Sequence, residues 1–150
     1  MKLTALLAFV FLATPSLSHA DLGGVESSIQ QDQTIFHGSK TNFYHRSNYH
    51  VHEVALDRMA LRQYVTLDGK VFAIAWKGPA NPDLSTVLGK YFEDYKTAMQ
   101  NSRRQRRGRA PIAIEHNGLR IELGGHMRAV HGRIWITGEL PRGVEQGDIQ

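Results

Sequence analysis

Hydrophobic and polar positions along the chain change their period three times. Alternation over 49–56 and 61–67 predicts two strands, and the run 71–76, apolar at every position, predicts a central strand covered on both faces. Asp68-Gly69 between the last two predicts an antiparallel hairpin with a type I′ turn. The stretch 39–48 is polar and predicts a loop with at most an edge strand.

A helical period follows this first sheet region. Asn81-Pro82-Asp83 offers an N-cap, a proline for the first helical position and an acidic first turn. Gly89 lies inside the expected helix, where we interpret it as allowing the helix to approach the sheet. The apolar residues that recur at spacings of three and four predict an amphipathic helix of about four to five turns: Leu84, Val87, Leu88, Tyr91, Phe92, Tyr95 and Met99.

Period two returns after Pro111. Asn117-Gly118 predicts a second hairpin turn, and residues 138–150 have little to bury and are expected to be extended or frayed. Strands are expected at 112–115, 119–123, 127–130 and 133–136.

The N-terminal part of the chain adds one more expected element. Ser27 with a Gln three residues on resembles a capping box and predicts a short helix that Gly38 would end. The predicted fold is therefore α+β: an antiparallel sheet of about five to seven short strands, one long amphipathic helix packed on a face, and a short N-terminal helix.

The first twenty residues have the pattern of a secretory signal peptide. A positive residue precedes an apolar run over 5–13, and Ser18-His19-Ala20 ends the segment with small residues. We expect cleavage between Ala20 and Asp21, a mature domain of residues 21–150, and a periplasmic or secreted location. The apolar run is much shorter than the about 20 residues that cross a bilayer, so no membrane span is expected after cleavage.

Composition narrows the possible chemistry. The 150 residues include no cysteine, which excludes disulfides, thiolate metal sites and a nucleophilic thiol. Lys and Arg number 18 against 14 Asp and Glu, a mild excess of positive charge. The chain is long enough for one domain that is stabilised by its own core.

Several short segments resemble a bacterial family known as domain of unknown function 2844. The most specific are Trp76-Lys77-Gly78-Pro79 and Gly124-Gly125-His126-Met127-Arg128, with Leu140-Pro141-Arg142-Gly143-Val144 in support. The resemblance covers nearly the whole mature chain and implies a short exported protein of bacteria with a double envelope. It implies no activity, cofactor or catalytic residue. The turn Asp57-Arg58-Met59-Ala60 departs from the small-residue turn expected there, which leaves the register of that hairpin open.

Histidines offer one candidate site. His50 and His52 share a face of their expected strand, and His126 lies in the second sheet region. If the two regions pair, these imidazoles could converge on zinc or copper, with Glu53 or Glu115 as oxygen ligands. The alternative is that they are ordinary exposed histidines.

The segment 124–128 is a second candidate. Its glycines could shape a bulge or admit a ligand, while His126 and Arg128 would project from one face and bind a carboxylate or phosphate. The structural alternative makes Met127 part of the core and pairs Arg128 with Glu53 or Glu122.

A basic run forms the third candidate, and it could hold an anionic polymer or lipid headgroups. No aromatic residue interleaves with it, so nucleic acid is not favoured. The alternative is a solvated end of the helix. Its members are Arg103, Arg104, Arg106, Arg107 and Arg109.

No nucleophile elbow, phosphate loop or dinucleotide fingerprint occurs in the sequence. The favoured hypothesis is a non-enzymatic binding or accessory module that has no cofactor and binds an envelope protein or a small ligand. The competing hypotheses are a histidine-based metal protein or envelope enzyme, and a binder of anionic polymers through the basic run.

Overall fold

The computed structural model describes residues 21–26, 40–56, 58–105 and 110–150. In this part of the chain, seven strands form one antiparallel sheet in the order β1-β2-β3-β4-β7-β6-β5. The predicted α+β class and the antiparallel sheet are confirmed; the expected signal peptide and N-terminal helix lie outside the described residues. The strands are β1 Lys40–His45, β2 Tyr49–Leu56, β3 Met59–Thr66, β4 Val71–Gly78, β5 Ile112–His116, β6 Leu119–His126 and β7 Ala129–Ile136.

Strand β4 is the middle strand, as its continuous apolar run predicts. Val71, Ile74 and Trp76 belong to a core on the face that the helices cover. Phe72 and Ala73 both belong to the core on the opposite face, because a register shift against β3 places two successive residues on one side. Burial on both faces therefore explains why no polar residue occurs in the run.

The predicted long helix is present over residues 84–105, but its N-cap and its continuity differ from the prediction. Helix α1 spans Leu84–Leu88, a 3₁₀ turn covers Gly89–Tyr91, and helix α2 spans Phe92–Gln105. Asp83, not Asn81, is the N-cap, since its Oδ1 accepts a hydrogen bond from the Ser85 backbone N–H at 3.0 Å. The Asn81 side chain instead accepts the Trp76 indole N–H at 3.0 Å.

Gly89 interrupts the helix because its φ is +49°. A Cβ at this position would lie 1.6 Å from Oδ2 of Asp21, so the close approach is to the segment at residues 21–24 and not to the sheet. In that segment Leu22 is completely buried, and its N–H donates to the carbonyl of Val87 at 3.0 Å.

The two predicted hairpin turns differ. Asn117 and Gly118 both have positive φ, 48° and 73°, which confirms a type I′ turn. Strands β3 and β4 are antiparallel neighbours as predicted, but only Gly69 has a positive φ, so the type I′ prediction is wrong. The register of the β2–β3 hairpin, which the sequence left open, pairs Leu56 with Met59.

Two expected strands, 127–130 and 133–136, are one strand. Strand β7 runs without a break through Gly132, and Met127-Arg128 form the turn that precedes it. Gly132 is the Cα partner of Trp76, and a Cβ there would lie 2.2 Å from the indole ring. A glycine inside the strand therefore makes room for the largest side chain of its neighbour.

Residues 138–150 were expected to be extended or frayed with little to bury, and this expectation is wrong. They form two 3₁₀ turns, Thr137–Glu139 and Gln146–Asp148, and cover the face of the sheet that the helices leave open. Ile149 is completely buried there. Arg133 donates to the carbonyls of Gln146 and Ile149 at 2.6 and 2.9 Å, which fixes the segment by its backbone.

Candidate functional site

Two turns meet the end of β4 at one end of the sheet and line, with it, an open cleft of about 840 Å³. The β2–β3 turn supplies Arg58, the end of β4 supplies Lys77, and the β6–β7 turn supplies Arg128. Antiparallel order places these turns at the same end although they are far apart in sequence. The remaining lining residues are Met59, Ala60, Gly78, Pro79 and Ala129.

The cleft is cationic. No carboxylate from the described part of the chain lines it, and none of its three cations has an ion pair within 4.0 Å among the described residues. Asp57, which precedes Arg58 in the sequence, lies outside the described residues. Guanidinium and ammonium groups suit a ligand that carries carboxylate or phosphate oxygens.

Gly78 permits close packing of two strands that line the cleft. A Cβ at this position would lie 2.9 Å from the Cβ of Met59, so only glycine lets the start of β3 pack against the end of β4. The same register pairs Ala60 with Lys77. The Trp-Lys-Gly-Pro segment is thus explained by packing at Trp76 and Gly78, and its lysine is left on the surface of the cleft.

Arg128 occupies the turn in an unusual backbone conformation. Its φ is +64°, in the left-handed region that costs a non-glycine residue about 1–2 kcal/mol. Glycine is the preferred residue for a position of this kind. The chain instead has a long cationic side chain there, directly beside the cleft. Strain of this kind is typical of residues kept for binding.

The paired glycines before it have structural roles. A Cβ at Gly124 would lie 2.7 Å from Nε2 of His131 on β7, and one at Gly125 would lie 2.2 Å from the carbonyl oxygen of Ala129. Close approach of protein atoms, not of a ligand, therefore accounts for both. Met127 is 87 % exposed, so the alternative that makes it part of the core is wrong.

The acids offered as partners of Arg128 are used elsewhere. Glu53 accepts a hydrogen bond from Nε of Arg62 at 2.6 Å, and Arg62 lowers the pKa of Glu53. Burial raises the pKa of Glu122, but hydrogen bonds from Arg133 and Arg120 outweigh it and the net shift is downward. Both pairs lie on the face covered by residues 138–150, and they leave Arg128 without either acid.

The expected convergence of histidines is wrong. His50 and His52 lie on β2 and His126 at the end of β6, with β3, β4 and β7 between them, so that they are about 19 Å apart across the strands alone at about 4.8 Å per strand. Glu53 is on the opposite face of β2 from the two histidines, where it pairs with Arg62. The described residues contain no group of three or more side chains arranged to hold a metal ion.

The other predicted site residues lie apart from the cleft or outside the description. His126 is exposed and Nδ1 is 3.3 Å from the carbonyl oxygen of Met127. Arg103 and Arg104 are exposed in the last turn of α2, which agrees with a solvated helix end. Arg106, Arg107 and Arg109 lie outside the described residues.

Sequence reasoning found one of the three cleft cations. Arg128 was a candidate, whereas Arg58 and Lys77 carry no local motif. Each is near the end of a strand, and only the strand order brings the three together. Arg58 and Lys77 could therefore be found only if the order of the strands in the sheet were known.

In the described part of the chain, one seven-stranded sheet, helices on one face and a cleft lined by three basic residues define a small α+β domain. Residues 18–149 match the model of the family described as protein of unknown function (DUF2844), and the chain belongs to that family. The resemblance noted in the sequence is thereby confirmed. Neither the curated proteins nor the solved structures contain a match. Among the described helices, none is long and apolar enough to cross a bilayer.

Proposed function

We propose that this protein is an exported, non-enzymatic binding module that holds a small polyanion in the cleft of Arg58, Lys77 and Arg128. The observation that carries the proposal is a cleft lined by three basic residues, with no carboxylate from the described residues in its lining. Such groups repel one another unless an anion joins them, so a ligand with two or more negative charges is favoured over one with a single charge.

The size and openness of the cleft support a small ligand. A volume of about 840 Å³ is in the range of small-molecule sites, about 300–1,000 Å³. The three basic residues come from two turns and a strand end of one sheet, so the strand pairing fixes the spacing of their backbone positions before a ligand arrives. A fixed spacing lowers the cost of ordering on binding.

The signal-peptide pattern of residues 1–20 supports export. The proposed ligand is therefore one met outside the cytoplasm, such as a polycarboxylate or a phosphorylated small molecule. The basic run is a separate feature on α2 and the linker after it, and the proposal does not depend on it.

The test is titration calorimetry of the protein with citrate and with pyrophosphate. We expect saturable binding that weakens as salt rises, and Arg128→Gly to weaken it by about tenfold or more, since a hydrogen bond to a charged group contributes about 1.5–3 kcal/mol. Arg103→Gln is the matched control, because it removes an exposed cation outside the cleft. Citrate and pyrophosphate compared with each other separate a carboxylate site from a phosphate site.

The same glycine variant also tests whether Arg128 serves the fold. Because glycine adopts a φ of +64° without strain, thermal stability is expected to stay the same or to rise. The proposal would be overturned if neither anion binds, or if Arg103→Gln loses as much binding as Arg128→Gly does.

A further inference from the structure

The end of the sheet opposite the cleft carries a pair of histidines that the proposed function does not use. His45, the last residue of β1, is the cross-strand partner of His50 on β2. Their Nδ1 atoms are 3.1 Å apart. His45 is exposed and His50 is half-buried, so solvent reaches the pair.

The separation of the two nitrogens fits a shared metal ion. A metal bound by imidazole at about 2.0–2.1 Å places two nitrogens about 3.3 Å apart in tetrahedral geometry and about 2.9 Å apart at a right angle, as in square-planar sites. The observed 3.1 Å lies between these values. The distance between the two nitrogens is therefore compatible with one shared ion.

The rings are held in place by their neighbours. Phe43 lies on the same face of the sheet, and the centroid of its ring is 4.5 Å from that of His45 and 5.4 Å from that of His50. The turn between β1 and β2, next to the two rings, is closed by a hydrogen bond from the Arg46 N–H to the carbonyl of Tyr49 at 2.9 Å. Two ligands on paired strands next to a tight turn need little ordering when a metal binds.

His52 contacts the same phenyl ring but is engaged elsewhere. Its Nε2 is 2.7 Å from Oε1 of Glu26, and its ring centroid is 4.5 Å from that of Phe43. It therefore serves as a neighbour of the pair and not as a third ligand. This assignment differs from the site expected from the sequence, which used His50 and His52 together.

We propose that His45 and His50 chelate a divalent transition-metal ion through their two Nδ1 atoms, with water or a ligand from another molecule at the remaining positions. Two imidazoles favour Cu²⁺ over Ni²⁺ and Zn²⁺, in the usual order of affinity for nitrogen sites. To offer Nδ1 to a metal, each imidazole must carry its proton on Nε2.

The experiment is a titration of the full protein, without added histidines, with Cu²⁺ and separately with Zn²⁺. We expect His45→Asn and His50→Asn each to weaken Cu²⁺ binding by at least tenfold and by similar factors. His126→Asn, an exposed histidine at the other end of the sheet, is the matched control and should bind as the unchanged protein does.

Electron paramagnetic resonance of the Cu²⁺ complex gives an independent readout. Two imidazole nitrogens should couple to the copper in the unchanged protein and one in each single variant. Thermal melting without metal shows that the variants fold. The proposal is overturned if both variants bind Cu²⁺ as the unchanged protein does, or if His52→Asn, and not His45→Asn, abolishes binding. The 3.1 Å contact would then be a hydrogen bond between two imidazoles only.

Discussion

At the scale of single residues, the pairing of Trp76 with Gly132 shows how a missing side chain can be a structural requirement. The indole lies over the glycine on the neighbouring strand and donates its N–H to Asn81. Asn81, three residues after the end of β4, is thereby tied to that strand, and the N-cap of α1 follows two positions later.

The first prediction follows from this contact. Gly132→Ala places a Cβ 2.2 Å from the indole ring, which must move from its position over β7. Overpacking of this kind costs about 1–3 kcal/mol of unfolding free energy, measurable by urea denaturation. Gly138→Ala is the control, because nothing lies within 4 Å of a Cβ at that position. Equal stability of the two variants would contradict the account.

At the scale of elements, residues 138–150 act as a cover held by two oriented arginines. Arg133, paired with Glu122, donates to two carbonyls of the segment, and Arg62, paired with Glu53, donates to the backbone oxygen of Gln150 at 2.9 Å. The glutamates hold the guanidinium groups in position, so each acid acts on the cover through its arginine.

The second prediction concerns the apolar anchor of this cover. Ile149→Ala should lower the unfolding free energy by about 2–5 kcal/mol, since the side chain is completely buried. Gln146→Ala, which removes an exposed side chain in the same segment, should have little effect. Thermal denaturation compares them, and a loss in Gln146→Ala as large as that in Ile149→Ala would argue against the anchor.

The elements also show what a sequence can and cannot predict. Strand β4 is visible because every position of its run is apolar, and the helix is visible because apolar residues such as Leu84 and Val87 recur at a regular spacing. The cover was missed because its burial depends mainly on one isoleucine among polar residues and glycines. The histidine site failed for another reason: a shared face on β2 says nothing about where β6 lies in the sheet.

At the scale of the whole molecule, the two arginine–glutamate pairs make stability depend on pH. Their folded-state pKa values are lowered, so the stabilisation is fully present above the unfolded value of about 4.3. It is lost as pH falls through the lower folded value. Above about pH 5 these acids contribute a constant amount.

The third prediction is therefore confined to acid conditions. Between about pH 5 and pH 2 the unfolding free energy should fall, and Glu122→Gln should make the fall shallower while lowering stability at pH 7. Circular dichroism during acid titration measures both effects. Glu115→Gln, which changes an exposed acid, is the control. A slope unchanged in Glu122→Gln would show that other groups govern the acid transition.

The central strand has a consequence for the timing of folding. Leu22 belongs to the core on one face of β4, and Ile149 belongs to the core on the other face. These two residues are 127 positions apart in the sequence. Contacts this distant form late, after the intervening loops have closed. A growing chain that has not yet produced residue 149 leaves aromatic side chains of β4 and β3 open to water. This core is therefore completed only after residue 149 has been made, a delay that suits a protein proposed to cross a membrane before it folds.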